Sequence, residues 1–369
     1  MFTGKNSRKK LNILQIFRGI AAILVLLVHG NALFKINLKQ NFIFNIFTFG
    51  FAGVDFFFVL SGFIIFYIHQ NDIGKKYRFK DFIFKRFLRV YPIYWVILIP
   101  RLLFAGKEIN FLICLSSFTL FPYPSPPIVN VSWTLSYEIF FYLIFSLFIL
   151  NGFKYLSPLI ITWISLICIY WSLHSVNILT IPLDNILLQF IFSGHHLEFV
   201  FGCLAAYILN KYRVRQGTLI LTLGIVLFLI SAIFNVYLLK TIANPHSIDI
   251  NISEHVVPMN RFPFFYYGIP SMLIIIGAVA LDLNKEIRVP NILIYLGDAS
   301  YSIYLVHASV INISTNLIAK MHLEQMFQSD ISKIAILLIA LIAGCIFHSY
   351  IEQPLLTTLR KNIFLSKNN

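Results

Sequence analysis

The stretch LNILQIFRGIAAILVLLVHGNAL, residues 11–33, decides the fold. It stays apolar for at least the roughly 20 residues that a helix needs to cross a hydrocarbon core. It outruns the apolar core of a secretory leader and lacks a small-residue cleavage site, so it reads as a retained transmembrane helix. Two ionisable residues, Arg18 and His29, stand inside it. Eleven helical steps of about 100° bring them within about 20° of one face, about 16 Å apart along the axis. Ionisable groups are costly in lipid, so one stripe carrying both belongs on the interior of a bundle, where it marks a functional site or a pairing with neighbouring helices.

The rest of the chain extends that reading. Of 369 residues, 58% are apolar and 12% charged, and the mean hydropathy is +0.80, a composition suited to lipid as solvent. Candidate spans fall at 11–33, 44–69, 90–106, 132–150, 156–176, 185–209, 217–239, 262–283, 292–316 and 331–350. The expectation is an all-α polytopic transmembrane helical bundle of about ten spans with no sizeable soluble domain. Phe111–Phe121 is apolar but short and runs into Pro122, Pro124, Pro126 and Pro127, so it reads as an interfacial or re-entrant segment, with an eleventh span as the alternative.

The net charge of +14 would suggest nucleic acid in a soluble protein, but here the basic residues flank apolar spans. With the N-terminus in the cytoplasm, 20 basic residues fall on that side (Lys5–Lys10, Lys75–Arg89, Lys154, Lys211–Arg215, Lys285, Arg288 and Arg360–Lys367). Eight fall opposite (Lys35, Lys39, Arg101, Lys107, Lys240, Arg261, Lys320 and Lys333). That asymmetry and the even span count place both termini in the cytoplasm. The four cysteines lie in apolar stretches without CxxC spacing and read as packing residues. The sequon at Asn251–Ser253 carries no weight in a chain that reads as bacterial.

Further ionisable residues recur inside the spans. Asp55 sits near the middle of the second, placed to orient a histidine, pair with an arginine or fix helix packing. Ser61 and Gly62 beside it point to close helix approach. Arg86 and Arg89, three apart, share a face at the cytoplasmic mouth of the third span, where two guanidiniums suit a phosphate-rich ligand or simply flank the membrane. Glu138 lies about two turns into the fourth span. In the ninth, Ser300, Tyr304 and His307 align at helical spacing. Topology puts His29, Glu138 and His307 at similar depths in the outer half, with Arg18, Arg86 and Arg89 toward the cytoplasm. His195, His196 and Glu198 do not read as a metal site, because adjacent histidines face different sides of a helix and HExxH spacing is missing.

These segments, in this order, resemble the acyltransferase-3 family of membrane-bound O-acyltransferases, and most of all its bacterial exopolysaccharide and lipopolysaccharide O-acetyltransferases. The family's arginine-x10-histidine element falls on Arg18 and His29, and its RxxR element on Arg86 and Arg89. GVDFFFVLSGF around Asp55, WTLSYE ending at Glu138, GDASYSIYLVH from Gly297 to His307, and IEQP from Ile351 to Pro354 also look family-like. The likeness runs from about 11 to 356, leaving a basic cytoplasmic N-terminus at 1–10 and a cytoplasmic tail at 357–369. The resemblance implies a multi-pass protein of the bacterial inner membrane that takes an acyl group, usually acetyl, from cytoplasmic acyl-CoA. The group passes to a glycan or lipid-linked saccharide hydroxyl on the periplasmic side. Some members add a C-terminal SGNH-type esterase domain, which is not expected here.

The expected site follows. His29 is the base, acting without an acyl-enzyme, with His307 at the same depth and Glu138 or Asp55 holding a tautomer. Arg18, Arg86 and Arg89 bind the acetyl-CoA donor, Tyr304 is a candidate oxyanion donor, and Ser300 and Glu352 lie in the family-like segments; no metal is expected. Two other classes stay open: a transporter or flippase for an anionic lipid-linked glycan, and a scaffold whose polar residues only fix packing.

Overall fold

A computed structural model describes residues 11–103, 110–123, 127–176, 178–179, 185–242, 264–285 and 287–366. Among them there is no strand. The helices are α1 (Asn12–Leu38), α2 (Ala52–His69), α3 (Phe79–Leu103), α4 (Phe111–Thr119) and α5 (Trp133–Asn151). They continue as α6 (Phe153–Ser175), α7 (Ile186–Ile191), α8 (His195–Lys211), α9 (Gly217–Ile242) and α10 (Ile269–Asn284). Last come α11 (Asn291–Asp298), α12 (Ser300–Lys320), α13 (Asp330–Phe347) and α14 (Gln353–Ser366).

Among the described residues, nine helical stretches are long and apolar enough to cross a membrane, so the chain is a polytopic helical bundle. The remaining predicted span, α3, fails on apolarity because Lys80, Asp81, Lys85, Arg86 and Arg89 crowd its first half. Its neighbours nevertheless run its full length. Tyr301 donates to the Val90 carbonyl at 3.0 Å, and Arg101 donates to Ser309 Oγ at 2.5 Å, so α3 lies parallel to α12. Against α5 it is antiparallel, with Phe82 on Tyr142 and Phe145 at one end and Tyr94 at Ser132 at the other. Nine residues of α4 rise only about 14 Å, so the segment does not cross and the eleventh span is not formed.

Lipid tails are as apolar as leucine, so packing, small residues and polar contacts hold such helices together. The α2–α8 pair shows this most directly. A methyl group on Gly62 would strike the Phe199 backbone, and one on Gly202 would strike that of Val59, so these helices touch main chain to main chain. Helix α10 and the stretch containing α2 are 72% and 61% buried and form the centre, whereas α9 at 11% and α6 at 17% turn most of their surface outward.

Four spans differ from their predicted limits: the third starts at Phe79 rather than at 90, and the sixth breaks between Ile191 and His195 into α7 and α8. The ninth, read as 292–316, breaks at Ala299 into α11 and α12, because Gly297 seats against the backbone of Gln15 in α1 and turns the chain there. The tenth continues past 350 through a π-helical turn, His348–Glu352, into α14, so residues 357–366 are helical rather than a loose tail. Lys5–Lys10, Lys107, Arg261 and the sequon lie outside the described residues.

Candidate active site

Helices α1 and α12 run side by side in the same direction. Arg18 meets Ser300, His29 meets His307, and Asn37 meets Thr315 in ascending register. Their pairing brings together residues 278 apart in sequence: His307 Nε2 lies 3.2 Å from His29 Nδ1, with ring centroids 5.0 Å apart.

Chemistry fixes the protons on this pair. His29 Nδ1 is 2.9 Å from the carbonyl of Val25, and His307 Nδ1 is 3.0 Å from that of Ile303, each one turn back on its own helix. A carbonyl only accepts, so both Nδ1 atoms carry hydrogen and both Nε2 atoms carry lone pairs when the rings are neutral. The His307 lone pair accepts from His29 Nδ1–H. His307 is 0% exposed, whereas His29 is only partly buried. The accessible lone pair of the couple is therefore His29 Nε2, and a carbonyl with a second imidazole holds its tautomer in place of the expected carboxylate.

One turn from His307, Tyr304 donates to the Val131 carbonyl at 2.9 Å and sits 2.9 Å from Thr134 Oγ1. Its phenol proton is committed to a carbonyl, so the expected oxyanion-donor role requires that bond to break. His307 was expected in the outer half with Glu138. Because the crossing helix begins at Ser300, His307 instead lies about 10 Å along α12, and the imidazole pair sits in the middle of the bundle. Glu138 is in a different layer. It accepts from Tyr142 and lies within electrostatic reach of Arg18, Arg86 and Arg89.

That second layer occupies the end of the bundle where α1 begins. Arg18 donates to Gln15 Oε1 at 2.9 Å and to Ser300 Oγ at 3.2 Å. Arg86 is buried against the rings of Phe82 and Tyr142, each 5.5 Å from its guanidinium carbon. Arg89 faces Tyr142, Glu138, Tyr301 and Glu352. Other side chains hold the carboxylates: Tyr142 on Glu138, and Ser302 at 2.5 Å with His348 at 2.7 Å on Glu352. Among the described residues no carboxylate closes an ion pair on these three arginines, and the Nε–H groups of Arg18 and Arg86 are buried without a partner. Three guanidiniums with open donors gather here, a chemistry suited to an anion.

Asp55 belongs to neither layer. It does approach a histidine, but that histidine is His195: Nδ1 stands 3.9 Å from Asp55 Oδ1 and 3.2 Å from Glu198 Oε2. His196 turns away to the Phe190 carbonyl at 2.8 Å, as adjacent helical residues must. The ligand-type atoms of Asp55, His195 and Glu198 lie within 4.8 Å of one another, a convergence that dismissing the His195–His196 pair overlooked because the third member comes from another helix. Two buried carboxylates side by side need protons or a cation, and a protonated His195 together with one protonated carboxyl satisfies that need.

The sequence reading passed over two histidine–carboxylate pairs, His69–Asp72 and His348–Glu352, and weighed His195 with Glu198 only as a metal site. Their signal was available in the i,i+3 and i,i+4 spacings, which put both partners on one helical face.

Comparison with known proteins places this sequence in a lineage. An acyltransferase domain profile, that of acyltransferase-3, covers residues 11–350. The chain belongs to the acyltransferase-3 family. It is also similar to the exopolysaccharide production protein ExoZ of Rhizobium meliloti (strain 1021), 28% identical over 329 residues, spanning 84% of this chain and 90% of that one. No solved structure matches it. As an acyltransferase-3 member the chain is a multi-pass membrane acyltransferase, which decides against the transporter reading.

Proposed function

We propose that this acyltransferase moves an acetyl group from cytoplasmic acetyl-CoA to a hydroxyl of an exopolysaccharide, or of its lipid-linked precursor, at the opposite face of a bacterial inner membrane. The observation that carries the chemistry is the imidazole pair, in which one accessible lone pair, His29 Nε2, is left by a fixed set of hydrogen bonds. The layer of Arg18, Arg86 and Arg89 supports binding of the donor's phosphates, and the basic excess on the N-terminal side supports a cytoplasmic approach. The polysaccharide acceptor rests on the name of the similar Rhizobium protein.

The reaction then runs in two proton steps. His29 Nε2 removes the acceptor's hydroxyl proton as that oxygen attacks the thioester carbonyl. The tetrahedral oxyanion collapses, the carbon–sulfur bond breaks, and the CoA thiolate takes the proton back from the His29 imidazolium. While that imidazolium exists, the Val25 carbonyl and the neutral His307 Nε2 share its Nδ1–H and so stabilise its charge. Neither Cys203 nor the other cysteines has a base beside it, in keeping with direct transfer.

Comparison of surface-polysaccharide ester content by mass spectrometry in cells with the wild-type chain, without it, and with His29→Ala tests the reading. Ester present only with the wild type is the expected result. Equal ester in all three overturns the polysaccharide assignment.

A further inference from the structure

The last residue of α2 makes an interaction that the reaction above does not use. His69, at the end of α2, stands 2.8 Å from Asp72 Oδ2 through Nδ1 and 2.7 Å from Arg86 Nη2 through Nε2. A guanidinium cannot accept a hydrogen bond, so Nε2 must be the acceptor and Nδ1 must carry the hydrogen that Asp72 receives. The contact exists only with neutral His69 in one tautomer, and Asp72 selects that tautomer. Arg86 also lies against the Phe82 and Tyr142 rings, with Nε–H unpartnered.

We propose that Asp72 and His69 are positioning residues for the donor: they hold the Arg86 fork toward the phosphate site, and protonation of His69 releases it. The inference rests on the reading of the arginine layer as the donor site. Its logic is geometric. Arg86 has the Phe82 and Tyr142 rings along one flank and the His69 imidazole as a side-chain acceptor on its fork, so loss of that acceptor leaves the fork free to turn away from the phosphate site. Protonated His69 has no lone pair and presents a cation to a cation, so donor affinity falls once acidification of the cytoplasmic side puts a proton on His69. The titratable and charged groups facing His69 are Asp72 from its own turn, with Arg78 3.7 Å from that carboxylate, and Lys85 and Arg86 from α3. The faces presented by Phe82 of α3 and Phe145 of α5 carry no charge.

The test measures coenzyme A binding to the full-length protein in lipid nanodiscs by titration calorimetry, from about pH 6 to pH 8, for wild type, Arg86→Ala, His69→Ala, His69→Gln and Asp72→Asn. Losing a hydrogen bond to a charged group is expected to weaken binding about tenfold in His69→Ala. The amide oxygen of His69→Gln accepts from Arg86 without titrating, so that variant should bind near the wild-type level at the alkaline end and stay flat with pH. Wild type should weaken toward the acid end, and Asp72→Asn should fall between wild type and His69→Ala because its tautomer is no longer selected. Wild-type affinity in Arg86→Ala would overturn the donor site itself. Weakened Arg86→Ala with unaltered His69→Ala would leave the donor site standing and overturn the positioning role. Should His69→Ala fail to fold, the His69→Gln profile decides: a slope equal to that of wild type overturns the inference.

Discussion

The bundle holds two buried histidine clusters built on opposite principles. His29 and His307 have no carboxylate beside them, and their Nδ1 hydrogens go to carbonyls of their own helices. His195 has two carboxylates at its Nδ1 edge, and the rings of Phe58, Trp133 and Tyr137 surround it at centroid distances of 4.8, 5.6 and 5.4 Å. A histidine between buried carboxylates is held as a cation, with its proton in demand from both sides. A histidine held only by carbonyls stays neutral and keeps a lone pair. The first arrangement ties α2 to α8, and the second is ready to take a proton. Buried charge and proximity to carboxylates, which draw attention in a sequence, thus mark the cluster that joins α2 to α8 more strongly than the pair proposed as the base.

The sharpest way to break this contrast is to remove one histidine of the carbonyl-held pair. His29→Ala is expected to lower acyl transfer about 10²- to 10⁴-fold, the range for loss of a positioned base. Circular dichroism and thermal midpoint should stay at wild-type values. A variant that fails to fold instead would favour a packing role for His29.

The carboxylate-held cluster should answer in the opposite currency. Asp55→Ala strands His195 and Glu198 in apolar surroundings and is expected to cost about 3–5 kcal/mol of stability. Turnover per folded molecule should remain within a few-fold of wild type. Unfolding in mixed micelles alongside specific activity separates the two effects. A stable Asp55→Ala protein without turnover would make this the second reactive cluster and erase the distinction.

His307→Ala sharpens the comparison within the pair. The imidazolium formed on His29 loses one acceptor for its Nδ1–H but keeps Val25. A hydrogen bond to a charged group contributes about 1.5–3 kcal/mol, so kcat should fall about 10- to 100-fold. Donor KM should hold steady, which steady-state kinetics resolves. A loss as large as that of His29→Ala would make His307 an equal partner in proton transfer.

The sequence carried the bundle well and the side-chain partners unevenly. Apolar run length is a local property, so spans such as α1 and α5 were legible to within a few residues. The break at Ala299 was not, because it depends on Gly297 meeting Gln15, a contact across 282 positions. The Arg18–His29 stripe was legible because helical geometry alone puts both on one face. The shared depth of His29 and His307 was legible from topology, but that Glu138 would join the arginines depended on the relative heights of α1, α5 and α12. Those heights are set by packing and leave no periodic trace. Asp55 was rightly singled out as buried and polar, but its histidine came from α8, and no spacing rule connects residues on separate helices.

The smallest expected effect tests how far the arginine layer depends on α12. Ser300 Oγ is one of two side-chain oxygens holding the Arg18 guanidinium, the other being Gln15 Oε1 on the same helix as Arg18. Ser300→Ala therefore removes the only one of these ties that crosses from α1 to α12, and it does so without creating a large cavity. An ordinary hydrogen bond contributes about 1 kcal/mol, so donor KM should rise about fivefold while kcat stays unchanged, the pattern of lost binding that does not distinguish ground state from transition state. Because the imidazole pair sits seven residues further along α12, a fall in kcat instead would mean that the register of α1 against α12 had shifted at His307. The two layers would then be one mechanical unit rather than a donor site and a base that happen to share a helix pair.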